Sequence, residues 1–398
     1  MGVPTGPDPG PPEPRRVLES AEVCPNSAGR RRAIVLHPNS PAAYPPLLHL
    51  MNVLLEKAWS LQLIGGAGAD GLALPPELAR RIEVIDIGRS RPGAGRLRRA
   101  LRLVLALPAV LRRRPHLLLA SDPDAAGPAL MAAAAGIPVV YIEHDSPCPD
   151  PLREGRPLRR LLRRILLDTA ALRVFPNAAR LAFVHGEAGF PVADAVVLPN
   201  LPAAPKASHS RRNEDRVSRR LHFHGSISPM ALPLALVPAL ASRPEWALDL
   251  YGYAVGHQAH LDALLAAAED AGLGPRLRFH GALPNARLHE MLIQADAAFA
   301  GFRPHPFNLN HTLIDGASNK LNEYAWHGLP TLVPDDVPLD QFPAALAIPY
   351  QREDPQSIAV ALDEAARRAP DLRWRPPDFA TVCRERLLPR LEALVGGA

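Results

Sequence analysis

Between residues 221 and 301, β-prone apolar runs alternate with helical patterns, and that alternation leaves few folds open. L-H-F-H-G at 221–225 and A-L-D-L-Y-G at 247–252 come first. A helical pattern over 257–271, R-L-R-F-H-G at 276–281, a second helical pattern over 285–294 and A-A-F-A-G at 297–301 follow. Strands joined by roughly 10–15 residues of helical periodicity have to lie parallel, with the helices covering the sheet. The first half repeats the pattern less regularly, with A-I-V-L at 33–36, a helix over 46–58, L-Q-L-I at 61–64, L-L-L-A at 117–120, I-P-V-V-Y-I at 137–142, V-F-P-N at 174–177 and A-V-V-L-P-N at 195–200. Residues 202–220 are polar and charged without apolar periodicity and read as a linker. A chain of 398 residues can bury two cores. The expected organisation is an α/β chain of two Rossmann-like, doubly wound parallel-sheet domains, 31–201 and 221–375, with a terminal segment over 376–398. Residues 1–30, rich in Pro and Gly and lacking the apolar core of a signal peptide, read as a disordered tail.

The stretch D-G-A-S-N-K-L-N-E-Y-A-W-H-G-L-P at 315–330 carries the chemistry. Ser318 suits a helix N-cap, Gly328 the left-handed residue that closes a helix, and Pro330 a stop before the β-prone T-L-V at 331–333. The opening turn presents N–H groups and the positive end of the helix dipole to an anion, with Lys320 one turn in. Glu323, three residues on, shares that face and can accept hydrogen bonds from vicinal hydroxyls such as those of a ribose. The chain has only three lysines, Lys57, Lys206 and Lys320, so one kept here fits a need for a compact point charge. The same spacing also suits an ordinary surface i,i+3 ion pair.

Asp315, seven residues, Glu323 and the acid-Y-A-x-x-G-x-P run that follows resemble the E-x7-E region and E-A-x-A-x-G-x-P helix of GT-B glycosyltransferases, family 4 in particular. The resemblance implies a GT-B fold with its two domains facing across a cleft, and a C-terminal helix in 376–398, over Phe379 to Leu394, that crosses back onto the first domain. It also implies a ribose contact for Glu323 and a donor-sugar contact for Asp315. Ser318, Asn319 and Leu321 then fall on the donor side. Gly225 and Ser226 begin the loop that faces the diphosphate; the family's usual Arg and Lys are replaced there by Ser226, Ser228 and Met230. That substitution moves phosphate neutralisation onto Lys320, the helix terminus and Arg303. Gly281 and Leu283 match the position that packs around the nucleobase.

In the first half, H-P-N-S at 37–40 follows a strand, the edge where open α/β sheets bind ligands, and offers His37 and Asn39. S-D-P-D at 121–124 resembles the family's H-D-P-D loop with Ser121 in place of His, and E-H-D-S at 143–146 its Y-D-x-H-[DE] loop. His144 aligns with the histidine that approaches the reacting sugar, although a lone histidine at a strand end is often a structural hydrogen-bonder. Asp122 and Asp145 are candidate bases toward an acceptor hydroxyl. Gly66, Gly68 and Gly71 have dinucleotide-fingerprint spacing, but they follow the second strand and precede Pro75-Pro76, so they read as a decoy.

Residues 1–200 hold 25 Lys and Arg against 18 Asp and Glu, so the positive excess lies in the first half. Nine arginines surround an apolar middle over 89–114, and 153–164 repeat the theme. Such a segment lies on an anionic membrane surface or forms a solvated helix face. Aromatic residues are 5% of the chain and do not interleave with the arginines, which argues against nucleic acid. Cys24, Cys148 and Cys383 form no C-x-x-C, so neither a zinc site nor a disulfide framework is expected, and a reducing cytoplasm is the natural compartment, with the inner face of the membrane as a peripheral location.

The expected activity is a hexosyl or glycosyl transferase (the EC 2.4 class), moving a sugar from a nucleoside-diphosphate sugar to an acceptor hydroxyl. The acceptor would be a lipid-linked, glycan or small molecule. The resemblance implies retention at the anomeric carbon and no metal or other cofactor, the nucleotide sugar being a co-substrate. The alternatives are a non-hydrolysing sugar-nucleotide epimerase and a catalytically silent nucleotide-sugar-binding protein of the same architecture.

Overall fold

A computed structural model of the chain describes residues 30–66, 73–87, 104–105, 108, 111–112, 114–149, 157–203, 218–254, 256–368 and 376–396. The amino-terminal tail, Gly68 and Gly71, most of the arginine run over 89–114 and the linker residues 204–217 lie outside them.

The first sheet has seven parallel strands: β1 Arg32–His37, β2 Ser60–Gly65, β3 Glu83–Asp86, β4 Leu117–Ser121, β5 Val139–Ile142, β6 Leu172–Phe175 and β7 Ala195–Val197. Their order is β3-β2-β1-β4-β5-β6-β7. The second has six: β8 Arg219–Ser226, β9 Trp246–Tyr253, β10 Leu277–Phe279, β11 Ala297–Phe299, β12 Thr331–Pro334 and β13 Ala347–Tyr350, in the order β10-β9-β8-β11-β12-β13. Each order reverses once, between β1 and β4 and between β8 and β11, and ligands of doubly wound sheets bind at such switch points.

The principal helices are α1 Pro45–Glu56, α2 Ala126–Ala134, α3 Pro157–Thr169, α4 Ala178–Ala188, α5 Gln258–Asp270, α6 Asn285–Ile293, α7 Asn319–Trp326 and α8 Pro355–Arg367. Helix α7 begins and ends as its residues dictate. Ser318 Oγ accepts the Leu321 N–H at 3.2 Å, Gly328 turns left-handed at φ +62°, and the Leu329 N–H returns to the Tyr324 carbonyl at 3.0 Å.

The apolar core between β1, β2, β4 and α1 also takes Phe379, Val382, Leu387 and Leu391, so the carboxyl-terminal segment packs on the first sheet. That segment is not the single regular helix expected over 379–394. A π turn at Cys383–Leu387 separates Phe379–Val382 from Leu388–Gly396. Pro389 gives the reason: it has no N–H to donate, and its ring clashes with the carbonyl four residues back, so the helix widens just ahead of it. Strand β3 was not anticipated either, being only four residues at the sheet edge.

Candidate active site

The two domains face each other across a cavity of about 440 Å³, in the range of small-molecule sites. The second domain contributes the ends of β8 and β9, the loop before α6 and the first turns of α7. The first contributes Tyr44, the His144–Asp145 loop, Arg180 and Asn200.

Close backbone approach shapes the second-domain wall. Gly225 has φ +116°, and a Cβ there would lie 3.6 Å from Lys320 Cε; a Cβ on Gly252 would lie 1.9 Å from the Gly225 carbonyl oxygen. The Lys320 ammonium rests over the Phe223 and Phe302 rings, 4.3 and 5.2 Å from their centroids. Burial draws its pKa down to about 7, against the pull of Glu323. Glu323 is 3% exposed but still lines the cavity. Its Oε2 lies 2.7 Å from His224 Nε2. Burial raises its pKa, while His289, His49 and Lys320 act in the other direction. Ser318 and Asn319 border the same space, as do Gly225, Ser226 and Leu283.

Across the cavity, His144 and Asp145 follow β5. Asp122 holds them: its Oδ1 accepts the N–H of His144 at 2.9 Å and of Asp145 at 3.1 Å. Asp122 itself sits at φ +63°, ψ 162°, a region that is strained for any residue but glycine. Its carboxyl is buried behind the cavity, and burial followed by the Asp145 charge raises its pKa well above the usual range. Asp145 borders the cavity, and its pKa also rises, through burial opposed by Arg180. Burial, then Arg180, lowers the His144 pKa to about 4, so the imidazole is neutral at pH 7. His144 Nε2 is buried with no partner among the described residues. A buried polar atom of this kind calls for a partner such as a water or a ligand. Beneath this loop, Glu143 takes a bidentate pair from Arg163 of α3 at 2.7 and 2.9 Å, which overcomes the burial of the carboxylate and holds its pKa low.

The domains are tied together by side-chain amides. Asn177, at the end of β6, caps α4 with its Oδ1 and donates Nδ2 to the carbonyls of Leu313 and Asp315 at 2.9 and 2.7 Å. Asn200, after β7, donates to the Ala317 carbonyl at 2.7 Å and accepts from Asn322 Nδ2 at 3.0 Å. Asn310 exchanges two bonds with the Ser146 backbone, at 2.9 and 3.2 Å.

The other residues singled out from sequence lie away from the cavity surface. Asp315 points to the following loop, its Oδ2 accepting the Gln341 N–H at 2.7 Å. Arg303 is half-exposed and lies 3.8 Å from Glu353. Leu321 is buried in the core beneath α7. Gly281, at φ +72°, accepts the Gly252 N–H at 2.8 Å. His37 Nδ1 bridges the β1/β4 switch to Ser121 Oγ at 2.9 Å, with Asn39 on the same loop. Tyr44, Arg180, Asn200, His224, Asn310 and His311 border the cavity without having been singled out.

Two parallel sheets of this order, with a cleft between them and a terminal segment returning to the first, define the GT-B fold of glycosyltransferases. Residues 47–201 match the model of Glycosyltransferase Family 4. Among solved structures, sucrose-phosphate synthase from Thermosynechococcus elongatus superposes with TM-score 0.62 at 14% identity, over 92% of this chain and 95% of that one. Anabaena Alr3699/HepE in complex with UDP and glucose gives TM-score 0.62 at 17% identity, over 89% and 98%. A putative UDP-N-acetylglucosamine 2-epimerase from Listeria monocytogenes gives TM-score 0.59 at 13%, over 92% and 96%. No curated sequence matches the chain significantly.

Proposed function

We infer that the chain transfers a glycosyl group from a nucleoside-diphosphate sugar to an acceptor hydroxyl held on the first-domain side of the cavity. One observation carries this reading: Lys320 and Glu323, on one face of α7, line the same cavity as His144 and Asp145 of the opposite domain. The ribose diol of the donor would meet Glu323. The diphosphate would meet Lys320 and the first-turn N–H groups of Asn319 and Lys320, which have no intrahelical acceptor. As the bond from the anomeric carbon to the phosphate oxygen breaks, charge grows on the departing diphosphate, where these donors stabilise it. His144 would contact the sugar as a neutral imidazole, and Asp145, which lines the same cavity, would meet the acceptor hydroxyl. That the HepE structure holds UDP and glucose supports a uridine nucleotide sugar as the first donor to try. Retention and independence of metals are proposed from the family resemblance, and a cytoplasmic location from the cysteine usage.

The test is sugar transfer from a panel of nucleoside-diphosphate sugars by wild type, Glu323→Ala and Lys320→Ala. Activity of both variants within a few-fold of wild type would remove the assignment. An isomerised donor with no free nucleoside diphosphate would favour an epimerase, the activity named for the Listeria neighbour. Nucleotide binding without turnover on any acceptor would favour a silent binding protein.

On α3, Leu158, Leu161 and Ile165 form an exposed apolar row, at 66%, 54% and 39% exposure, beside the exposed Arg164. This row supports contact with an anionic membrane surface. Co-sedimentation with vesicles of anionic and of zwitterionic lipid tests it, and equal absence from both pellets would refute it. Among the described residues no helix is long and apolar enough to cross a membrane.

A further inference from the structure

Strand β8 carries Leu221-His222-Phe223-His224-Gly225 in its second half. Leu221 and Phe223 enter the apolar core, and the two histidines share the opposite face, 2% and 6% exposed. Buried imidazoles at alternate strand positions have to find hydrogen-bond partners. His222 Nε2 lies 3.1 Å from His224 Nδ1, and His224 Nε2 lies 2.7 Å from Glu323 Oε2. The chain of bonds therefore ends on the one carboxylate that α7 presents to the cavity.

The surroundings hold this chain rigid. The Tyr324 ring meets both imidazoles edge-on, at centroid distances of 6.0 and 5.1 Å, and the Tyr251 ring stacks on His222 at 5.0 Å. The His224 N–H donates to the Tyr324 hydroxyl at 3.3 Å.

The direction of the protons follows from chemistry. An ionised carboxylate only accepts, so the short contact needs an N–H on His224 Nε2. A neutral His224 then offers Nδ1 as an acceptor, which receives the Nε2–H of His222. Burial keeps both histidines neutral, reinforced by His224 at His222 and by Lys320 at His224. His222 thus fixes the tautomer of His224, as an outer partner does for a histidine that serves a metal or a substrate.

We propose that His222 and His224 are a positioning pair that fixes the Glu323 carboxylate for a ribose 2′,3′-diol and so makes the site select ribonucleotides over 2′-deoxyribonucleotides. The inference rests on the nucleotide-sugar reading above. With one lone pair of Oε2 occupied by His224, the carboxylate cannot rotate about its last bond, and its remaining lone pairs keep a constant aim into the cavity. A diol uses two acceptor directions of one carboxylate and loses one when the 2′-hydroxyl is absent. A carboxylate free to rotate would recover part of that loss by turning toward the 3′-hydroxyl alone.

The experiment is calorimetric titration of UDP and 2′-deoxy-UDP into wild type, His224→Ala and His224→Gln, with thermal melts confirming that each variant is folded. Wild type should prefer UDP by about 10-fold, the scale of one hydrogen bond to a charged group. His224→Ala should lose most of that preference through weaker UDP binding, with 2′-deoxy-UDP within about 2-fold of wild type. His224→Gln, whose amide N–H reaches toward the Nε2 position, should restore at least half of it. An unchanged ratio in His224→Ala, an equal weakening of both ligands, or failure of Gln to restore the preference overturns the proposal. If wild type prefers GDP, the GDP and 2′-deoxy-GDP pair is used. Binding of no nucleotide by wild type overturns the donor reading itself, and this proposal with it; intact binding with an unmoved ratio overturns only the positioning role.

Discussion

Arg180 Nη1 donates to the His144 carbonyl at 2.5 Å, and its Nε and Nη2 reach the carbonyls of Leu313 and Asn310, in the other domain, at 3.3 and 3.4 Å. One buried guanidinium therefore spans the loop that would face the sugar and the loop that leads to α7.

Removing it should leave three carbonyls short of a donor and Asp145 short of its cation. Arg180→Ala is expected to lose about 3 kcal/mol of unfolding free energy, the usual scale for emptying one side of a buried polar cluster. Turnover should fall further than nucleotide affinity does, because the disturbed loop is that of His144. Urea denaturation and a comparison of kcat with the nucleotide Kd check both parts.

Donor affinity should depend on pH through Lys320. Its pKa of about 7 lies below the ordinary lysine value, so in the empty site the Lys320 amine is an ammonium below pH 7 and neutral above it. A diphosphate favours the ammonium and raises that pKa, so binding takes up a proton and weakens as pH rises from 7, by up to about tenfold per unit. The neighbouring His224 is pushed well below its ordinary value, and His311 down to about 4, so both stay neutral throughout this range. Burial raises the Glu323 pKa, and loss of its proton as pH rises favours the diol contact and opposes the Lys320 trend. UDP titrations between pH 6 and 9 should show the slope in wild type and a flatter profile in Lys320→Arg.

At Gly225, a methyl group would meet both an unfavourable φ of +116° and the Lys320 side chain at 3.6 Å. Gly225→Ala should weaken UDP binding about 10-fold, because a φ of +116° is strained for alanine and shifts the backbone at the end of β8 beneath the Lys320 ammonium. Gly252→Ala, whose Cβ would fall 1.9 Å from a carbonyl oxygen, should instead cost about 3 kcal/mol of stability through backbone displacement. Melting and binding measured on both variants separate the two effects.

Asp122 uses one carboxylate oxygen for two backbone N–H groups. Asp122→Asn keeps an acceptor there and should stay within about 1 kcal/mol of wild type. Asp122→Ala loses both bonds while keeping the unfavourable φ, and should cost about 2 kcal/mol along with most of the turnover. Chemical denaturation and sugar-transfer assays distinguish the pair.

The fold could be read from local sequence because a parallel sheet writes itself as alternating periods, and α7 because Ser318 and Gly328 mark its ends. Lys320, Glu323, His144 and Asp145 stand out because they fall at a helix start or at the carboxyl end of a strand, where α/β folds place their ligands. Arg180, Asn177 and Asn200 did not stand out. Their acceptors in the other domain are main-chain carbonyls more than a hundred residues away, and no side-chain pattern records a carbonyl. Asp315 reads as a ligand by its spacing to Glu323, but Gly316, at φ +71°, turns the chain there, and the carboxylate meets the 341 amide instead. His222 and His224 were legible only as strand residues, since their meaning depends on which helix lies across from them.

Asn200 gives a hydrogen bond to the residue just before Ser318 and takes one from Asn322, so both sides of the first turn of α7 are strapped to the opposite lobe. Any swing that separates the lobes has to pull on that turn. A nucleotide seated there would lose its anchorage as the gap widens, which would couple its departure to opening of the lobes.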